Sequence, residues 1–114
     1  MPFLRIQTSK PLTGAGAASL AARASALVAE QLGKPERYVM TSVESNPAMQ
    51  FAGSTAPLAY LELKSIGLPE SLTADISRAL CGMLASETGV EPERIYIEFT
   101  NAPRKMWGWN NGTF

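Results

Sequence analysis

Histidine is missing from this sequence, and cysteine occurs once, at Cys81. Without histidine, the side chain that most often moves protons near neutral pH is unavailable. With one cysteine as well, a zinc site of nitrogen and sulfur ligands has no donor set. An intrachain disulfide is excluded, which fits a reducing compartment. Net charge is also missing, because ten basic residues balance ten acidic ones. Nothing in that balance attracts nucleic acid or an anionic membrane surface, so neither is expected as a partner. Little self-repulsion keeps subunits apart, which permits oligomers. No basic-then-apolar leader opens the chain, and no apolar run approaches a membrane span. The expectation is a soluble, cytoplasmic protein.

What is present points to one folded domain over residues 1–114. Apolar residues make up 46% of the chain and charged residues 18%, enough to build a modest core. The start, Met1-Pro2-Phe3-Leu4, is its most informative chemistry. Methionine before a small second residue is usually trimmed, and Pro2 would then carry a free secondary amine. An α-amino group titrates at about 7.7–8.0, and an apolar pocket lowers that value by disfavouring the charged form. Such an amine can serve as base or nucleophile at neutral pH. By position alone, Pro2 equally well does no more than set up the first strand.

Two copies of one unit make up the chain. Pro35-Glu36-Arg37 recurs as Pro92-Glu93-Arg94, and the same offset lays Phe3-Leu4-Arg5-Ile6 over Tyr60-Leu61-Glu62-Leu63. Each unit reads β-α-β. Leu4 and Ile6 alternate with Arg5 and Gln7 in a first strand. Thr13 is a candidate cap for a helix running to about Leu32, with Leu20, Ala24, Leu27, Val28 and Gln31 at helical spacing and Gly33 to end it. Val39, Thr41 and Val43 alternate next. The second unit repeats this with Leu61 and Leu63, a helix from about Glu70 to Thr88, then Ile95, Ile97 and Phe99. Residues 46–57 connect the halves.

Two helices can cover only one face of a four-stranded sheet. Strand parity puts Leu4, Ile6, Leu61, Leu63, Ile95, Ile97 and Phe99 on that face. Arg5, Gln7, Glu62, Lys64, Tyr96 and Glu98 fall on the other, which can meet solvent, a wet interface or a central channel. The aromatic C-terminal stretch, Lys105 to Phe114, is expected to dock, for instance onto a neighbouring subunit. Cys81, in an apolar helix stripe, reads as an inert core residue.

The Met1-Pro2 start, Gly33-Lys34-Pro35 with Tyr38, Leu63-Lys64-Ser65-Ile66-Gly67, Leu80-Cys81-Gly82 and Trp109-Asn110-Asn111-Gly112-Thr113-Phe114 together resemble the macrophage migration inhibitory factor family of the tautomerase superfamily. The resemblance covers essentially the whole chain. It implies an α/β fold of two β-α-β repeats forming a four-stranded mixed sheet with two helices on one face. Three subunits would then form a ring with the sheets inside and the pockets between subunits. The implied activity is cofactor-independent keto–enol tautomerisation of phenylpyruvate-like 2-oxo acids, with Pro2 as general base.

The resemblance assigns the substrate carboxylate to Lys34 and to the backbone N–H of Ile66, in the segment that includes Ser65. It assigns pocket walls to Tyr38, Trp107, Trp109 and Phe114, and makes Tyr96 a contribution from the adjacent subunit. Three positions depart from the animal homologues. Lys64 stands where they often carry histidine, and Trp107 where an aliphatic residue is familiar. Glu98 stands in place of an asparagine that can contact the far end of the substrate. Its carboxylate can accept from a hydroxyl, repel an anion or raise the Pro2 pKa. The Cys-x-x-Cys pair of animal homologues is absent at Leu58 to Leu61, which leaves a thioredoxin-like role unsupported. Two alternatives stay open: a cytokine-like binding protein with vestigial activity, released by a non-classical route, and a hydratase or dehalogenase of small unsaturated acids.

Overall fold

Strict alternation makes Phe3–Thr8 a strand, β1, in which every second residue is buried. The computed structural model describes residues 1–114, and its main elements follow in the order β1, α1 (Gly14–Leu32), β2 (Met40–Ser45), β3 (Ala59–Ile66), α2 (Thr73–Thr88) and β4 (Ile95–Ala102). A small hairpin of β5 (Gly108–Trp109) and β6 (Gly112–Thr113) closes the chain.

The four long strands form one mixed sheet in the order β2-β1-β3-β4. Within each half the strands are parallel, β1 with β2 and β3 with β4, while β1 and β3 join the halves antiparallel. Parallel neighbours need a crossover, which α1 and α2 supply. The repeat read from the sequence is therefore a repeat in space.

The covered face is the expected one. Leu4, Ile6, Leu61 and Leu63 are fully buried against Leu20, Ala24, Val28, Ile76, Leu80 and Leu84 of the helices. Ile95 is buried as well, and Ile97 and Phe99 pack at the margin of the same cluster. Thr41 adds a polar tie, its hydroxyl donating to the Ala21 carbonyl at 3.0 Å. Cys81 sits half-buried at the core margin rather than within it, and burial raises its thiol pKa. Across the open face, Arg5 pairs with Glu44 and Glu62, Lys64 pairs with Glu62, and the Tyr60 hydroxyl donates to Glu98 at 3.0 Å.

Two details differ from the sequence reading. The α2 helix begins at Thr73, because Glu70–Leu72 take a tighter 3₁₀ turn first, with Leu72 N–H donating to Pro69. Strand β2 starts at Met40, with Val39 just outside it. The aromatic tail folds back on its own chain, where its rings line a cavity. Asn110 and Asn111 both take left-handed backbone conformations, at φ 49° and 65°. Two successive residues of that kind make the two-residue turn whose twist suits a hairpin. The Phe114 N–H then closes onto the Trp107 carbonyl at 3.2 Å.

Residues 46–57 are not slack. Arg94 donates Nε to Pro57, Nη1 to Phe51, and Nη2 to Ser54 and Ala56, all backbone carbonyls within 3.0–3.2 Å. No helix is long and apolar enough to cross a membrane.

Candidate active site

The Pro2 ring is fully buried at the head of β1, where its carbonyl accepts from Met40 N–H at 3.0 Å. It lines a cavity of about 490 Å³ together with Met1, Phe3, Arg37, Tyr38, Val39, Met40, Lys64, Trp107, Gly108, Trp109 and Phe114. That volume lies within the ~300–1,000 Å³ typical of small-molecule sites.

The hairpin builds the aromatic wall. Trp109 and Phe114 stack with centroids 5.5 Å apart, and Tyr38 meets Trp109 edge-on at 6.3 Å. Both separations lie in the favourable range for aromatic pairs. The wall is thus one packed unit fixed by a tight turn, and Trp107 lines the cavity beside it.

Lys34 is placed by the way α1 ends. Gly33 adopts the left-handed conformation at φ 61°, its N–H donating to Glu30, and Lys34 N–H donates to Ala29. These two bonds are a Schellman motif, which makes Lys34 the residue just past a fixed helix end. Its ammonium then donates to the Ile66 carbonyl at the end of β3. The same carbonyl accepts from the Ser65 hydroxyl at 3.0 Å.

The terminal amine of this chain, on Met1, has its pKa held below the ordinary value near 8. Burial is the main cause, followed by the Lys34 charge, a hydrogen bond with Lys34 and the Arg104 charge. Each of these disfavours a positive amine.

The site residues expected from sequence separate into groups. Pro2, Tyr38, Trp107, Trp109 and Phe114 are brought together around the cavity, and Lys34 reaches its amine end. Ser65 is fully buried, and its hydroxyl is engaged by the Ile66 carbonyl. Its counterpart in the first half is Thr8, equally buried and bonded to the Leu58 carbonyl, so both hydroxyls end their strands with a backbone bond. Tyr96 lies elsewhere, 65% exposed and 4.5 Å from the Phe51 ring, on a second cavity of about 430 Å³. Glu98 accepts from Tyr60 on the open face. Neither Tyr96 nor Glu98 reaches the Pro2 cavity of its own chain.

The sequence reading missed Arg37 as a lining residue and Arg104 as a charge near the amine. Arg37 had a signal, since it ends the first Pro-Glu-Arg copy. Arg104 precedes the aromatic tail in a 3₁₀ turn, Arg104–Met106, and only the folding back of that tail brings it in. The assembled site offers a depressed amine, cations and an aromatic wall. No Asp or Glu side chain lines it.

Comparison with known proteins finds similarity over the whole chain. The family described as macrophage migration inhibitory factor (MIF) matches residues 1–114. A macrophage migration inhibitory factor homolog of Brugia malayi is 37% identical over 115 residues, covering 100% of this chain and 99% of the relative. A homologue from Prochlorococcus marinus has a crystal structure that matches with a TM-score of 0.92 at 44% identity, covering 98% of each chain. The structure of macrophage migration inhibitory factor from Toxoplasma gondii matches with a TM-score of 0.92 at 34% identity, over 98% of this chain and 99% of that one.

Proposed function

Because the chain belongs to the macrophage migration inhibitory factor family, we propose that it is a cofactor-independent keto–enol tautomerase of phenylpyruvate-like 2-oxo acids, with Pro2 as its base. Removal of Met1 moves the terminal amine one residue inward, onto the buried ring at the cavity head. Burial, Lys34 and Arg104 surround that end and favour the neutral amine that can accept a proton. This placement is the observation that carries the reading.

In the reaction, the Pro2 nitrogen takes a proton from the carbon next to the ketone. The C–H electron pair becomes the C=C bond, and the carbonyl pair moves onto oxygen. The protonated amine supplies a proton to that oxygen, so the enol forms with no net change in oxidation. The reverse direction retraces these steps. Lys34 holds the carboxylate and offsets the developing enolate charge, while the Tyr38, Trp109 and Phe114 wall takes the aryl ring. A trimer with pockets between subunits supplies Tyr96 and Glu98 from a neighbour. Their exposed positions, away from their own cavity, fit that role.

The test is enol–keto exchange of phenylpyruvate by the Met1-trimmed protein and a Pro2→Gly variant, with intact mass confirming the trimmed ends. The variant should lose at least about tenfold in kcat/KM, at the lower part of what a positioned proton-transfer group contributes. Equal rates for the two proteins, or a wild-type rate no faster than buffer, would overturn the reading.

A further inference from the structure

The two Pro-Glu-Arg copies end in arginines with opposite fates. Arg94, in the second half, has its guanidinium filled by four loop carbonyls. Arg37, the matching residue of the first half, lines the Pro2 cavity, and its one side-chain bond is from Nη2 to the Tyr38 hydroxyl at 3.4 Å. Its guanidinium lies 4.7 Å from the Tyr38 ring centroid, which steadies it on the wall. No carboxylate pairs with it.

Charge around the cavity is one-sided. Arg5, Arg23, Lys64 and Arg78 all have carboxylate partners. The other six basic residues have none, and three of them, Lys34, Arg37 and Arg104, border the Pro2 cavity or its amine. No Asp or Glu side chain lines the cavity or pairs with these three cations. One substrate carboxylate occupies only one of them. A guanidinium with free, forked donors matches a second carboxylate in both charge and shape.

We infer that the preferred substrate is a 2-oxo acid bearing a second carboxylate remote from the keto acid, and that Arg37 receives that second carboxylate. The inference rests on the tautomerase reading for the reaction. The binding of a dianion by Arg37 stands on the cavity alone.

Two probes test it, phenylpyruvate and its para-carboxylated counterpart, with the trimmed wild type and the Arg37→Gln and Arg37→Lys variants. Both tryptophans of the chain, Trp107 and Trp109, line the cavity, so quenching of their fluorescence reads binding whether or not turnover occurs. Wild type should bind the dicarboxylate about tenfold tighter than phenylpyruvate, the scale of one charge-assisted contact. Arg37→Gln should remove that preference, raising KM more than it lowers kcat, and Arg37→Lys should restore part of it. Equal binding of the two probes by wild type would overturn the inference, as would a preference that survives in Arg37→Gln. If neither probe turns over yet the dicarboxylate binds more tightly through Arg37, the tautomerase reading fails and the dianion site stands.

Discussion

The ammonium of Lys34 is bonded to the carbonyl of Ile66, which ties the end of α1 to the end of β3 beside the chain terminus. That bond holds a cation where it acts on the terminal amine, and it links the two halves of the fold at the point where the proposed chemistry occurs.

Loss of Lys34 should therefore move a pH limb. A base works only when neutral, so activity should rise with pH through the pKa of the terminal amine; at this end of the chain burial and then the Lys34 charge hold the Met1 amine below its ordinary value. The Lys34 charge lowers that pKa, so Lys34→Ala should shift the limb to higher pH. Burial and Arg104 remain, so part of the depression should persist. KM for phenylpyruvate should rise as well. The check is the pH profile of kcat/KM for both proteins. A limb that stays put or moves to lower pH would contradict the role given to Lys34.

Gly33→Ala should act on the same lysine through the backbone. An added Cβ meets nothing within 4 Å, so the cost is conformational alone. A left-handed alanine costs roughly 1–2 kcal/mol, and denaturant unfolding should show a loss of that size. If the helix end relaxes to avoid the strain, Lys34 shifts with it. KM should then rise more than the modest stability loss would suggest. A KM equal to wild type would show that the Schellman geometry is not needed to place Lys34.

Arg94→Ala should loosen residues 46–57 while leaving the core intact. Four backbone carbonyls lose their donor, and Phe51 loses the guanidinium 5.2 Å from its ring centroid. The expected cost is about 2 kcal/mol, because these partly exposed carbonyls regain water. Amide exchange should quicken in this segment and stay slow in β1 and β3. Uniformly faster exchange would mean that Arg94 supports the whole fold.

Strand parity carried most of the fold. Leu4, Ile6, Leu61 and Leu63 had to share a face, and the repeated offset required two equivalent crossovers. The cap residues were equally direct, since Thr13 accepts from Gly16 N–H and Gly33 takes the left-handed turn. The start of α2 was harder, because a 3₁₀ turn and a first helical turn share the same local composition. The tail hairpin left little trace, as two-residue strands have no period to read. Arg94 was illegible for another reason: its acceptors are main-chain oxygens, which every residue has. Within the site, Pro2 and the aromatic wall followed from resemblance to a family. The uncompensated Arg37 emerged only once its counterpart was seen to be saturated.

The internal repeat has a covalent consequence. The offset that superposes the halves carries Met1, Pro2, Phe3 and Val39 onto Leu58, Ala59, Tyr60 and Tyr96, so the two cavities are counterparts. In the second, a peptide bond joins Leu58 to Ala59, and no cleavage of an initiator residue can free a nitrogen there. Doubling the unit in one polypeptide thus keeps the architecture of two hollows while sparing only one of them a basic group. The other hollow is free to diverge in its side chains, as Tyr96 in place of Val39 and Ala59 in place of Pro2 already record.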